Sequence, residues 1–336
     1  MRWRSLACSR RRWPSAEEGA VRRKNGSAPV RPPPYIGRMD DGPRLYRPRA
    51  RDLPAADTAL TASLNPDQAR AATFGDGPLL VIAGAGTGKT RTLIHRVAAL
   101  IERGVAPERI LLLTFTRRAA GEMLSRAERL VGSAGARVHG GTFHSVGHRL
   151  LRQFGAAAGL PADFTIMDQG DAEDLMQLAR GAMGFAKTAK RFPKKETLHW
   201  LYSRHVNTEL SLDELLHRDT PHFLEYEEQI TSLFADYTLR KQERNLVDYD
   251  DLLLFWALML EASPDLQSRI AGLYEHVLVD EYQDTNLLQA RILRGMCSGH
   301  RKLTVVGDDA QSIYAFRGAH FRNILDFPRH FPGTTM

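Results

Sequence analysis

The sequence predicts an α/β fold: a parallel sheet flanked by helices, with an all-helical subdomain inserted into it. Three observations carry this reading. Short apolar runs recur, as "PLLVIA", "RILLLTF", "EHVLVDE" and "KLTVVGD". Each closes in small or polar residues and most lead into a helical period, as expected for a parallel sheet buried on both faces. Between residues 145 and 248 the strand signal disappears, and stretches such as "DQGDAEDLMQLARGAM" carry a helical pattern instead. The layout is therefore a tail (1–58), a first α/β part (59–144), a helical insert (145–248) and a second α/β part (249–336).

The tail is set apart by charge. Residues 1–58 sum to +8, more than the +7 of the whole chain, so the basic character belongs to the tail and not to a folded surface. It is rich in Arg and Pro, lacks an apolar signal core and shows no sustained period, and it reads as disordered. A nucleic-acid-binding arm and a translation start at Met39 are the alternatives. No uncharged apolar run is long enough to span a bilayer, so no membrane partner is expected. The two cysteines, Cys8 and Cys297, lie in unlike contexts, which suits a reducing, cytoplasmic setting without a disulfide framework.

The first apolar run, 78–83, leads into "GAGTGKT", Gly84–Thr90, and then a helix over 89–103 with Leu93, Ile94, Val97, Leu100 and Ile101 on one side. Set between strand and helix, this stretch reads as the G-x-x-x-x-G-K-[ST] pattern of a phosphate-binding loop. Its backbone N–H groups can turn inward, Lys89 supplies a point charge, and the Thr90 hydroxyl can ligate Mg²⁺. The third run ends in "LVDEYQD", 278–284. Asp280 closes a buried strand, where a carboxylate needs a cation or strong donors, and Glu281 can polarise an attacking water. The fourth run leads into "GDDAQSIYAFRGAHF". There Gln311 can sense a γ-phosphate oxygen if its strand neighbours that of Asp280. Tyr314, Phe316 and Arg317 suit base stacking and phosphate contact, the alternative being a core Phe316 and a surface Arg317.

Seven segments together resemble the first half of a superfamily 1 DNA helicase of the UvrD/Rep/PcrA kind: "LNPDQ", "AGAGTGKTR", "LTFTRRAAGEM", "GTFHS", "VDYDDLL", "VDEYQD" and "GDDAQSIYAFRGA". The resemblance covers about residues 60–336. It implies a P-loop NTPase of RecA-like fold that uses ATP and Mg²⁺ to move 3′→5′ on single-stranded DNA and to open single-strand/duplex junctions. It implies nucleotide binding by Gln68 (adenine edge), Ala83, Gly84, Ala85, Gly86, Thr87, Gly88, Lys89, Thr90 and Arg91 (on the base). Thr90 and Asp280 would hold Mg²⁺, Glu281 would be the catalytic base, and Gln311 would couple γ-phosphate status to the DNA. Phe115, Thr142, His144, Tyr314, Phe316 and Arg317 would line the DNA track.

This chain departs from the family pattern in places. Arg117-Arg118 stand where Asn-Lys is usual, and Phe316 where Trp is common. The chain stops at "RHFPGTTM", where the family enters its second RecA-like domain. The expectation is thus an ATP-binding half that lacks unwinding activity alone; a stand-alone, ATP-dependent single-strand-binding switch and a gene fragment without a role are the alternatives. His139, His144 and His148 lack the partners of a metal site, "CSGH" at Cys297–His300 reads as a helix end, and "KTAKRFPKK" (187–195) is either a phosphate contact or a solvated loop.

Overall fold

The computed structural model describes residues 58–185, 192–308 and 322–336. Its main sheet has five parallel strands in the order β1-β7-β6-β2-β3. These are β1 Leu79–Ile82, β2 Ile110–Thr114, β3 His139–Thr142, β6 His276–Val279 and β7 Leu303–Gly307. Four of them are the four apolar runs. The fifth, β3, is "HGGT" and pairs with β2 in register, Thr114 beside Thr142.

Alternation along the strands divides the apolar side chains between two faces. Ile110, Leu112, Leu278 and Val306 meet Leu93, Ile94, Val97 and Leu100 of the helix Lys89–Glu102, with Met123 and Ala127 of the helix Arg117–Val131. Leu111, Leu113, Val277, Val279, Leu303 and Val305 point the other way. They pack on Phe143, Val146 and Leu150 of the helix Phe143–Phe154 and on Leu252, Trp256 and Met259 of the helix Tyr249–Glu261. Residues 143–164 therefore contribute to the core beneath the sheet.

A separate core forms among Met167, Leu175, Met176, Leu198, Leu201, Leu216, Ile230, Leu233 and Tyr237. Apart from Met167, these residues lie on four helices: Gln169–Ala182, Lys195–Thr208, Leu212–Asp219 and Glu227–Glu243. The region read as purely helical also holds two strands of two residues each, β4 Thr165–Ile166 and β5 Leu246–Val247, paired in parallel. At that length neither carries a period that a sequence could show. Among the described residues no helix is long and apolar enough to cross a membrane.

Arg96 fixes the entry to the sheet. It is 1% exposed and donates to the carbonyls of Ala71, Phe74 and Gly75 and to Thr304 Oγ1. Burial, with Arg103 nearby, pulls its guanidinium down to about 9. The helix Pro66–Ala72 is thereby anchored beside the start of Lys89–Glu102. Its own start is a capping box in which Asn65 and Gln68 satisfy each other's backbone N–H.

Candidate active site

The strand order places three loops side by side at the carboxyl ends of β1, β7 and β6, where α/β sheets bind ligands. The phosphate-loop segment follows β1, Asp308 follows β7, and Asp280-Glu281 follows β6. Adjacency of β6 and β7, the condition placed on Gln311, is met. Gln311 itself, with Tyr314, Phe316 and Arg317, lies outside the described residues.

Counted back from Lys89, the first glycine of the phosphate-loop pattern falls on Ala83, so the motif is matched at its Gly-Lys-Thr end and not at its start. Ala83 continues the sheet, its N–H donating to Gly307 O at 3.0 Å, and it needs no left-handed backbone. Gly88 does, at φ 88, and a Cβ there would lie 2.7 Å from Gln68 Nε2. That amide donates to Thr87 O at 2.7 Å while its oxygen serves the cap. Gln68 is thus placed against the loop backbone. Gly84, Ala85, Gly86 and Thr87 form an exposed turn closed by Thr87 Oγ1 on Gly84 O at 2.7 Å. Arg91 lies on the rim of a cavity of about 290 Å³ with Ile94, His95, Arg126, Arg129 and Leu130.

Lys89 turns inward. Its Nζ lies 3.4 Å from Gly84 O and 3.5 Å from Asp308 Oδ2, and its side chain is 9% exposed. Thr90 Oγ1 donates to Asp280 Oδ2 at 3.1 Å, and Asp280 Oδ1 accepts from Glu281 N–H at 3.1 Å. Burial first and the Glu281 charge second push the Asp280 carboxyl up to about 6, against the pull of Thr90, the Glu281 N–H and Lys89. Asp284 is likewise raised to about 6, by burial and then Glu281, and its Oδ1 has no hydrogen-bond partner among the described residues. Asp280, Glu281 and Asp284 crowd this end of β6, and a cation beside them would offset both the burial and the mutual repulsion of their carboxyl groups. Thr90 and Asp280 fit Mg²⁺, which takes one or two protein oxygens and completes its shell with phosphate and water.

Glu281 has a left-handed backbone, φ 52 and ψ 45, which swings the chain from β6 into the turn Tyr282–Asp284. Its Oε2 accepts from Gln283 Nε2 at 2.8 Å. Gln283 Oε1 in turn accepts from Asp308 N–H at 2.9 Å. A Cβ on Gly307 would lie 2.9 Å from that same oxygen, so glycine is what lets the bridge close. Gln283, Asp284 and the Lys89–Asp308 pair were not singled out in the sequence. Their spacing to the motif residues is local, but only the strand order brings them together.

A second cluster stands at the ends of β2 and β3. Phe115 is half-buried, 6.3 Å from Phe143 between ring centres. Thr142 is buried and caps the helix Phe143–Phe154, its Oγ1 accepting from Ser145 N–H. His144 packs edge-on to Tyr249 at 5.8 Å, and burial pushes its imidazole down to about 4, so the ring is neutral at physiological pH. Tyr249, within "VDYDDLL", was not singled out either, and it is 43% exposed. His139 instead sits edge-on to Tyr274, and His148 accepts from Arg152 Nε at 3.0 Å. Cys297 is buried at a helix C-terminus.

The UvrD/REP helicase N-terminal domain family matches residues 64–332. Proteins named ATP-dependent DNA helicase PcrA are similar: that of Staphylococcus epidermidis is 34% identical over 275 residues, covering 82% of this chain and 37% of the relative. That of Bacillus subtilis strain 168 is 34% identical over 279 residues with the same coverage, and that of Leuconostoc citreum 37% identical over 277 residues. The chain thus spans a little over a third of the length of these relatives. With Lys89, Thr90, Asp280 and Glu281 brought together at the carboxyl ends of a five-stranded parallel sheet, the chain belongs to the UvrD/REP helicase family, over that family's N-terminal domain.

Proposed function

We propose that this chain is the ATP-binding part of an ATP-dependent DNA helicase that moves 3′→5′ on single-stranded DNA and acts at single-strand/duplex junctions, with Mg²⁺ as cofactor. The observation that carries the reading is the convergence of Lys89, Thr90, Asp280 and Glu281 on one crevice. In it, residues 59–144 and 249–336, joined by the stretch to residue 164 that packs beneath the sheet, form the RecA-like part, and the rest of 145–248 forms a helical subdomain that touches DNA. The names of the similar proteins support the substrate, and the cytoplasm is the compartment that fits.

When ATP enters, Lys89 exchanges Asp308 for phosphate oxygens. The exposed backbone of Gly84–Thr87 and the start of the helix Lys89–Glu102 receive the remaining negative charge. Thr90 and Asp280 would hold Mg²⁺, which neutralises charge on the β- and γ-phosphates. Glu281, its carboxylate braced by Gln283, orients a water and takes its proton as the water oxygen attacks the γ-phosphorus and ADP leaves. Phe115, Tyr249 and the neutral ring of His144 offer apolar faces on which bases can stack. Gln311, Tyr314, Phe316 and Arg317 are assigned here to coupling and to the same track.

Titration with a fluorescent ATP analogue tests the nucleotide site. Binding should require Mg²⁺ and fall sharply in Lys89→Ala, with circular dichroism unchanged. Equal affinity in the variant would sink the assignment. Strand displacement and single-strand translocation, measured in a protein extended to the length of its relatives, separate a motor from a nucleotide-gated switch that binds without stepping.

A further inference from the structure

The loop that carries Glu281 is held at its far end by a file of buried amides. Asn286 caps the helix Leu287–Met296: its Oδ1 accepts from Gln289 N–H at 2.7 Å, and Gln289 Oε1 accepts from Asn286 N–H at 3.1 Å. Because Oδ1 is committed to the cap, the amide has one orientation, and Nδ2 points away from the helix. It donates to Asn207 Oδ1 at 2.7 Å. Asn207 stands on the last turn of Lys195–Thr208, one of the four helices around the separate core. Its own Nδ2 donates onward to Asp250 Oδ1 at 2.6 Å and to Ser203 O at 2.9 Å. Asn207 and Asn286 are 6% and 7% exposed, so water competes little for these bonds.

The loop is tied again just before Asn286. Thr285 Oγ1 donates to Tyr282 O at 2.7 Å, and Asn323 Nδ2 donates to Thr285 O at 2.8 Å. Further along Leu287–Met296, Arg291 Nη1 donates to Glu209 Oε1 at 2.9 Å, two residues beyond Asn207. Residues 281–286 are therefore pinned between Gln283 at the crevice and Asn286 at the helical segment.

We propose that Asn207 is a positioning residue for the hydrolytic loop: through Asn286, the helical segment sets the backbone on which Glu281 and Gln283 stand. This rests on the reading of that loop as the site of ATP hydrolysis. The restraint has a physical reason. Glu281 occupies a left-handed conformation that a side-chain-bearing residue leaves readily unless its surroundings hold it. Each amide in the file has a fixed polarity, so breaking one link strands a buried donor or acceptor and loosens the next.

Hydrogen exchange of the whole chain without nucleotide reads the loop directly. Asn207→Leu is expected to speed exchange of amides 281–287 about tenfold while β2 and residues 84–92 keep wild-type protection. Asn207→Asp alone sets two carboxylates face to face and should loosen the loop as well. The paired change Asn207→Asp/Asp250→Asn keeps an acceptor for Asn286 and reverses the donor between 207 and 250, so it should restore part of the wild-type protection, the bond to Ser203 O remaining lost. In turnover assays the single variants should lower kcat and leave KM for ATP unchanged. Unchanged loop exchange in Asn207→Leu, equal acceleration across the whole sheet, or no restoration by the paired change would each overturn the proposal. Should Asn207→Leu fail to fold, the contrast between Asn207→Asp and the paired variant decides. A wild-type chain that binds no Mg-ATP would defeat the nucleotide reading, and the exchange result would still report on the amide file.

Discussion

Lys89 Nζ and Asp308 Oδ2 stand 3.5 Å apart with their side chains 9% and 3% exposed, so the lysine is paired with a carboxylate inside the crevice. On the function proposed above, Asp308 balances the Lys89 charge and repels an incoming polyphosphate. Asp308→Asn is therefore expected to lower thermal stability without nucleotide and to tighten ADP binding about tenfold, on the scale of one charged contact. Calorimetric titration with ADP and a melting curve of the same sample check both halves. Weaker ADP binding would show that Asp308 is part of the binding surface instead.

Gln283 is expected to matter for turnover and not for binding. Its amide touches Glu281 Oε2 and Asp308 N–H and makes no hydrogen bond to Lys89 or Thr90 among the described residues. Gln283→Leu should reduce kcat about 10–100-fold, within the range typical of a mispositioned base, with ATP affinity retained. Glu281→Gln should go further, by about 10²–10⁴-fold. A Gln283→Leu protein with wild-type kcat would leave the bridge without a role in hydrolysis.

Lys241 is the stability test. Its Nζ donates to Asp248 Oδ2 and Asp251 Oδ2, both at 2.6 Å, and to Tyr202 OH at 3.2 Å, with 2% exposure. Lys241→Met leaves two carboxylates buried without their cation and should cost about 3–5 kcal/mol in denaturant unfolding. Adding Asp251→Asn should recover part of that loss, because burial and Asp248 already push the Asp251 carboxyl up to about 7. A loss below about 1 kcal/mol in Lys241→Met would show that the network contributes little.

His276 gives the fold an acid limit. Burial, then Arg96 and Lys302, pull its imidazole down to about 4 from an unfolded value of 6.5. The folded protein binds fewer protons between these values, so stability present above pH 6.5 is lost as pH falls toward 4. The loss is on the order of 3 kcal/mol. His276→Gln should flatten that part of the curve. Parallel unfolding of the two proteins at pH 7 and pH 4.5 measures the difference, and identical pH dependence would remove His276 as its source.

Tyr249 should contribute to single-strand affinity. Tyr249→Ala is expected to cost about 1–3 kcal/mol whatever the base sequence, with the salt dependence of binding unchanged because no phosphate contact is lost. Tyr249→Phe should bind as wild type. Fluorescence anisotropy with oligo(dT) at two salt concentrations reads both, and full affinity in Tyr249→Ala would move the track elsewhere.

The strands β2, β6 and β7 were legible because each is buried on both faces and so is nearly continuously hydrophobic, and β1 because its run stays apolar although only Leu79 and Leu80 are buried. β3 was not, since its "HGGT" takes burial from neighbours and not from side chains of its own. Lys89, Thr90, Asp280 and Glu281 were legible because local spacing carries their chemistry. Lys241 was not: "LRKQERN" looks like a solvated charged run, and only the packing of Glu227–Glu243 against Asp248 and Asp251 makes it the most buried cation after Arg96 among the described residues. Asn207 was hidden for the same reason, since an amide near a helix end has many surface readings and its partner is far away in the chain.

The left-handed backbone of Glu281 sets fold robustness at odds with the catalytic role proposed for that residue. Glycine takes that conformation without strain, so Glu281→Gly should raise the melting temperature by the equivalent of about 1 kcal/mol even though the base is lost. A laboratory population selected only for heat resistance would drift away from glutamate at 281. Nearby, Asp280 and Asp284 would follow, because neutral replacements relieve two unfavourable buried charges. Under such selection the hydrolytic signature would erode first while the sheet stayed intact, and a thermostable descendant of this chain could keep every strand and have lost its chemistry.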